Sequence, residues 1–535
     1  VAAHLVELLG AGDVIPLARA AQPTATLSES SGDSCLVVCG AAARWAGGNG
    51  HSADRMLLSS GDAVGSVPTA RWSLEAQVED LSVLSEAQRK GVVYGSFIAG
   101  AERFDPLFFR VSQAEGMAMD PQQRLLLESS YEALHVGGMR RSDLSGSDAS
   151  VSIGMEMPDW FFVKTQSLGF QLGDPVCVAS GRISFVLGLH GECKTIDTAC
   201  SSGLCAVHSA STAVGLTERN IALAAAVSLK LRPHTTLGLL AAGTVSHDGR
   251  CKTFDRRANG YARAEALGAF ALTKQSSSDA PLLARPQLGS VMVRHDGRSA
   301  SLTAPNGSAQ RMMLVASWGA IGLTTICMEA HGTGTSLGDP TEVGALAAAH
   351  TLQRLEEMSV SSHKANTGHA EAPSGVMGLL SALAREERIA LGNAQLRLLN
   401  PVVLQSMGAV RSPIAFSLNS TAQSISYCGV TSMGHSGTIV HALIQPGGRL
   451  AGRARAKLTY NRRALWWHSR ERQKERTCKY ANCWVPVQHA RPSTSSLLVL
   501  SSSQTAATAA LQPPWRTVAA LLTGDASAAP SLSAV

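Results

Sequence analysis

No uninterrupted apolar run in this chain approaches the ~20 residues that a membrane-spanning helix needs, because Lys230 and Arg232 interrupt the best candidate between Ala222 and Leu240. No membrane span is expected. The 11 cysteines are odd in number and carry no paired CxxC spacing, which argues against a disulfide framework or a structural zinc site. They fit a reducing compartment, the cytoplasm or an organelle stroma, and no metal site is expected. The chain opens on Val1 without a basic-then-apolar signal pattern, as a fragment or processed form would. Aromatic residues make up only 5% and charged residues 16%, against 45% hydrophobic, so the 535 residues can bury a sizeable core and do not resemble a disordered polymer. The 50 glycines suit tight turns and closely packed small-residue helices.

Charge is concentrated locally. Arg449 to Lys479 holds eleven Lys or Arg against Glu471 and Glu475, a net of +9 where the whole chain carries +6, which leaves the remainder at −3. With Trp466 and Trp467 this stretch could meet nucleic acid or an acidic carrier protein, but a solvated linker wrapping a domain is the preferred reading, and nothing else suggests nucleic acid. Composition divides the chain into an extension over 1–33, a glycine-dense body over 34–446 in which strand-like and helix-like segments alternate, and a basic, then Ser/Ala-rich linker over 447–535. The alternation argues for an α/β architecture, and the segment beyond Pro492 is expected to be weakly ordered. One helix can be placed in detail: Asp120 as N-cap, Pro121 at the first position, Leu127, Tyr131 and Leu134 on one face, and Gly137-Gly138 as the stop.

Chemistry centres on Cys200, in Asp197-Thr198-Ala199-Cys200-Ser201-Ser202-Gly203. Cys193 to Ile196 reads as a strand end and Leu204 to Ala210 as a buried helix, so the thiol falls on a strand-to-helix turn. Unpaired amides and the helix dipole there favour a thiolate, and a sulfur more acidic than an ordinary cysteine is expected. Two later Gly- and Thr-rich segments, His331-Gly332-Thr333-Gly334-Thr335 and Lys364-Ala365-Asn366-Thr367-Gly368-His369, offer imidazoles, which points to covalent catalysis through a thioester.

These motifs, together with Phe104 to Phe109, Met119 to Arg124, Gly181 to Ser184, Gly249 to Asp255, Ser301 to Gly307 and Asn400-Pro401, occur in an order that resembles the β-ketoacyl synthases. Within that family the chain is most similar to the ketosynthase domains of modular (type I) polyketide synthases, over about residues 35 to 470. The resemblance implies a thiolase-like fold of two similar α/β halves layered αβαβα, about 34–290 and 291–446, with N- and C-terminal extensions and usually paired as a homodimer. It implies an acyltransferase of polyketide or fatty acid biosynthesis. Cys200 would take an acyl chain from a carrier-protein pantetheine, and a malonyl-type extender on a second carrier would lose carbon dioxide and attack, giving a 3-ketoacyl thioester. No bound cofactor is implied; the phosphopantetheine arm comes with the acyl carrier protein, and neighbouring synthase domains are possible partners.

By the same resemblance His331 and His369 match the imidazole pair that stabilises the enolate, and Thr333 and Thr335 match hydroxyls that hold the pantetheine arm. Lys364 and Glu342 match supporting groups, with Asp339 as an orienting carboxylate. Two converging imidazole donors stabilise enolate charge more in the transition state than in the ground state, and loss of His369 is expected to hurt decarboxylation more than self-acylation. The amides of Cys200 and of the loop Gly434-His435-Ser436-Gly437 are expected to bind the second oxyanion. In that loop His435 replaces an aromatic cover of the acyl pocket and Ile439 an amide, while Ala264 and Ala266 stand where the family carries glycines, so strain is expected wherever either needs positive φ. Two alternatives remain open: a non-elongating ketosynthase-like domain that transfers acyl chains or docks carriers, and a thiolase-like enzyme acting on CoA esters.

Overall fold

The computed structural model describes residues 34–46, 59–74, 81–163, 175–218, 220–276, 285–319, 323, 325–383, 389–390, 392–408, 413–418, 421–422, 427–447, 458–467 and 497–500. The expected extension over 1–33 and most of the basic and Ser/Ala-rich segments lie outside these residues.

The first half contains strands β1 (Ser34–Trp45), β2 (Ser150–Gly154), β3 (Cys193–Ile196), β4 (Ile221–Ser228) and β5 (Ala266–Ser276). They lie in the order β1-β5-β4-β2-β3, antiparallel at β1–β5 and β5–β4 and parallel at β4–β2 and β2–β3. The second half contains β6 (Gln287–His295), β7 (Thr325–Glu329), β8 (Glu357–Ser361), β9 (Ile414–Ser417), β10 (Cys428–Met433) and β11 (Thr438–Gln445). Their order, β6-β11-β10-β7-β8, repeats the first half strand for strand and direction for direction, with β9 added beyond β8. The sheets join through the pair Val37–Gln287. The second repeat begins at Gln287, so the boundary expected at 290 falls inside β6.

The central strand β4, Ile-Ala-Leu-Ala-Ala-Ala-Val-Ser, is buried on both faces, which is why it reads as a continuous apolar run rather than an alternating one. Helices α1 (Pro121–Val136) and α2 (Val178–Leu187) cover the outer face of the first sheet; α4 (Gly307–Gly319) and α5 (Gly338–Gln353) cover that of the second. Between the sheets lie α3 (Ser202–Ala213) and α6 (Ser374–Leu383), packed on each other in a core that includes Leu204, Val207, Phe270, Val376 and Leu379. This is the αβαβα layering. Small side chains on α3 and α6 let two helices share one narrow layer.

Helix α1 forms as its caps dictate: Asp120 accepts from the Gln122 amide at 2.8 Å and Gly137 follows its last turn. Its burial extends beyond the expected face, because Gln122, Gln123, Arg124 and Glu128 are also buried. One reason is the described part of the basic segment. Over 458–467 it lies along the first half, with Tyr460 edge-on to Phe108, Arg462 on Glu128 at 2.8 Å, and Leu465 and Trp467 buried. Trp467 is therefore packed, with Arg71 over its ring, rather than free to stack on a base. Most of the segment beyond Pro492 lies outside the described residues; Leu497–Leu500 form an antiparallel strand on β9, where a sheet edge offers unpaired backbone groups.

Candidate active site

The chain leaves β3 through a tight loop in which Asp197 accepts from the Ala199 amide at 3.0 Å and Ser202 Oγ accepts from the Thr198 amide at 2.8 Å. Ala199 adopts φ +55°, a left-handed conformation that costs a residue bearing a β-carbon, immediately before the thiol. The turn is held from the other half: Ser432 Oγ and Ser374 Oγ donate to the Cys200 carbonyl at 2.7 and 3.0 Å. Gly434 approaches so closely that a β-carbon on it would lie 2.2 Å from the Thr198 carbonyl oxygen, so this position admits only glycine.

The corresponding loop of the second half follows β8 and a short helical turn, Lys364–Thr367, and delivers His369. Its Nε2 lies 3.0 Å from Cys200 Sγ. The backbone around it is clamped, His369 N to Ala262 O at 2.7 Å and Ala264 N to His369 O at 2.9 Å, and Tyr261 stands edge-on at 5.0 Å. His331, after β7, completes the group with its ring centroid 5.4 Å from that of His369. His331 Nδ1 accepts the Met433 amide at 3.3 Å, so a neutral ring carries its proton on Nε2. Expected catalytic residues from three separate segments thus meet at one point.

The carboxylates at the start of α5 hold the His331 loop. Glu342 accepts from the His331 and Gly332 amides at 2.7 and 2.8 Å; Asp339 accepts from Gly334 and Phe254 at 3.0 and 2.7 Å. Burial raises both, Asp339 to about 6 and Glu342 to about 7, against the amide bonds that favour the charged forms. Thr333 and Thr335, between these anchors, bring their hydroxyls to 3.4 Å. Lys364 is fully buried, and that burial lowers its pKa while Glu329 and Glu342 oppose the shift. His435 is exposed on the turn from Gly434 to Gly437, whose end amides are taken within the turn, Gly434 by Thr438 and Gly437 by Gly434.

Electrostatics correct the expectation of a standing thiolate. Burial, then Glu156 and Glu371, push the Cys200 thiol well above its ordinary value, while Lys364 and Lys230 only partly oppose them. Burial and Lys364 push His331 and His369 well below theirs. The resting pair is a neutral thiol beside a neutral imidazole. The two alanines carry no strain of the expected kind, since neither Ala264 nor Ala266 has positive φ, and Ile439 is buried against Ala309 and Met313.

Ser374, Ser432 and a charged cluster below His369 escaped the sequence reading. Glu371 receives Arg263 in a two-pronged pair at 2.7 and 2.9 Å and also pairs with Lys230, all nearly fully buried. Those two cations hold Glu371 well below the usual carboxylate range although burial opposes them. Its place two residues after His369 was the available signal. Among the described residues, no group of His, Cys, Asp or Glu could hold a metal ion, and no helix is long and apolar enough to cross a membrane.

Known proteins resemble this chain in sequence and in fold. Residues 34–278 match the N-terminal domain of the β-ketoacyl synthases and residues 287–389 the C-terminal domain. A phenolphthiocerol/phthiocerol polyketide synthase polypeptide of Mycobacterium tuberculosis is 34% identical over 404 residues, 73% of this chain and 22% of that protein. The 6-methylsalicylic acid synthase of Penicillium expansum is 34% identical over 446 residues, 80% of this chain and 25% of that protein. The chain thus spans about a quarter of these relatives or less. Among solved structures, the ketosynthase from module 6 of the Bacillus subtilis bacillaene synthase superposes with a TM-score of 0.69 at 26% identity, over 78% of this chain and 72% of that one. An oxazolomycin ketosynthase domain of Streptomyces albus gives 0.68 at 25%, over 80% and 76%.

Proposed function

The chain belongs to the β-ketoacyl synthase family, and we propose from that premise that it is a chain-extending ketosynthase domain acting through Cys200, His369 and His331. The observation that carries this reading is the 3.0 Å contact of His369 Nε2 with Cys200 Sγ, with His331 presenting Nε2–H beside it. In the first step His369 Nε2 takes the thiol proton as sulfur attacks a carrier-bound thioester. The proton passes to the departing carrier thiol, and Cys200 is left acylated. The Cys200 and His435 backbone amides are the donors for the tetrahedral oxyanion, given that the Gly434 and Gly437 amides are engaged.

In the second step a malonyl thioester places its carbonyl oxygen between the rings. His331 and His369 hydrogen-bond through Nε2–H to that oxygen while the malonyl carboxylate leaves as carbon dioxide, and the enolate carbon attacks the acyl group and releases Cys200 as a thiolate, which takes its proton from water. Among the described residues His369 Nδ1 is buried without a hydrogen-bond partner, so none of them fixes its tautomer and Nε2 can accept in one step and donate in the next. Thr333 and Thr335 hold the phosphopantetheine arm, and the carrier protein and neighbouring synthase domains are the partners. No resident cofactor takes part. A homodimer is supported by the outer edge of β3 and by the exposed rings of Phe161, Phe162 and Phe185, the last 86% exposed.

The test supplies acyl- and malonyl-carrier and follows carbon dioxide, 3-ketoacyl product and the mass of the intact protein. Product formation that disappears in Cys200→Ala supports chain extension. An acylated Cys200 with no product would establish a non-elongating domain instead, and condensation of free acetyl-CoA without a malonyl donor would establish a thiolase.

A further inference from the structure

Strand β6 ends at His295, in register with Thr438 of β11, so its last side chain stands beside the turn Gly434 to Gly437 that joins β10 to β11. The ring is exposed, yet both its nitrogens are engaged. Gly297 N donates to Nδ1 at 2.9 Å, so a neutral ring carries its proton on Nε2, which lies 3.0 Å from the Ser436 carbonyl oxygen and donates to it. Among the described residues no other donor reaches that oxygen. The ring also lies against Gly437, at φ +95°, where a β-carbon would come 2.8 Å from Cε1 and Nε2. The strand end that carries the ring is itself fixed: Asp296 N donates to Gly437 O at 2.8 Å, and Asn306, which caps α4, donates through Nδ2 to Asp296 O at 2.7 Å.

The bonds run in series. Ser436 C=O and Gly437 N–H belong to one peptide unit, and that N–H donates to Gly434 O at 2.9 Å. Gly434 C=O and His435 N–H belong to a second unit, and His435 N–H is the donor to the tetrahedral oxyanion in the mechanism above. A bond from His295 at one end therefore orients two planar peptide units and polarises both, each bond in such a chain strengthening the next by about 10–30%. The far end is held by the close approach of Gly434 to the Thr198 carbonyl, beside Cys200.

We propose that His295 is a positioning residue for the condensing site, aiming and polarising the His435 amide through the Ser436–Gly437 peptide, an inference that rests on the ketosynthase reading above. His331 and His369 hold the enolate, so decarboxylation does not draw on this amide. The test compares wild type, His295→Ala and His295→Gln in self-acylation from an acyl-carrier, condensation with malonyl-carrier, and carbon dioxide release from malonyl-carrier alone. In parallel, hydrogen exchange of the peptide spanning 434–438 is followed by mass spectrometry. His295→Ala is expected to lower the rate constants of acylation and condensation about tenfold with KM within about twofold, and to leave carbon dioxide release within about twofold. Exchange of the turn amides should rise about tenfold in the same variant. His295→Gln, whose side-chain amide can donate to Ser436 O and accept from Gly297 N, is expected to restore rates and exchange to within about threefold of wild type. Unchanged acylation or unchanged exchange in His295→Ala, equal losses of acylation and carbon dioxide release, or no recovery in His295→Gln overturns the role. A wild-type protein that is never acylated, with exchange still responding to the two variants as expected, would overturn the ketosynthase reading and leave the clamp on the turn standing.

Discussion

The amide of Gly203 donates to the carbonyl of Ala372 at 2.9 Å, joining the two halves backbone to backbone, three residues beyond Cys200 on one side and three beyond His369 on the other. A β-carbon at 203 would lie 2.8 Å from the Ala372 oxygen and 2.9 Å from Val376 Cγ2, and a backbone oxygen cannot swing aside as a side-chain tip can. Gly203→Ala should therefore push α3 and α6 apart. The expected cost is about 1–3 kcal/mol, measured by denaturant unfolding, with a larger proportional loss of Cys200 self-acylation measured by intact mass. Wild-type acylation in this variant would show that the contact does not set the distance between sulfur and imidazole.

The two histidines should separate by step. His369 touches the sulfur, which argues for a loss of acylation as large as the loss of decarboxylation, where the sequence led to the expectation of a greater loss in decarboxylation. His369→Ala should lose both acylation and decarboxylation, each by about 10²-fold or more. His331 reaches the site through Nε2 while Met433 holds Nδ1, and it has no hydrogen bond to the thiol. His331→Ala should acylate within a few-fold of wild type and lose decarboxylation by a similar 10²-fold. Stopped-flow acylation together with carbon dioxide release distinguishes these outcomes, and equal losses in the two variants would contradict the division.

What the sequence made legible was local chemistry and order. Asp120-Pro121 announced α1 because a capping carboxylate and a proline each act on the nearest turn, and the Gly- and Thr-rich segments announced Cys200, His331 and His369 because tight loops need those residue types. Ser374 and Ser432 stayed hidden because their partner, the Cys200 carbonyl, lies 174 and 232 residues away and any hydroxyl could have served. The acidity of Cys200 was misjudged for a related reason. The turn and helix start argue for a thiolate, whereas the burial and the charges of Glu156 and Glu371 that decide against it exist only in the folded chain, which local sequence does not report.

A thiol held up by burial should react slowly with an alkylating agent at neutral pH. We expect iodoacetamide labelling of Cys200 to rise with pH through a midpoint above that of an unhindered cysteine, about 8.5. The neutral state of His369 means that acylation by a carrier thioester should not fall as pH drops from 8 to 6, since the imidazole remains a free base throughout. Mass-spectrometric labelling rates between pH 6 and 11 check the first point and single-turnover acylation the second. A labelling midpoint below 7 would establish a thiolate–imidazolium pair instead.

The Glu371 cluster ties stability to the site. Its carboxyl sits well below the usual range, so its contribution to stability is fully present above the ordinary value of about 4.5 and is lost only as pH falls through the lower folded value. At neutral pH the whole contribution is in place. Glu371→Gln leaves Arg263 and Lys230 buried without their shared anion and is expected to cost about 3–5 kcal/mol, read by urea unfolding at pH 7.5. Because Arg263 is bridged backbone to backbone with His369, the same variant should slow acylation. Glu156 supplies the control. Burial and the charge of Glu371 hold it up to about 7, so removing Glu371 lets Glu156 ionise more readily beside Lys230 and recover part of the loss. The double variant Glu156→Gln/Glu371→Gln should then be less stable than the sum of the single losses, whereas strict additivity would show that the two carboxyls do not share the cations.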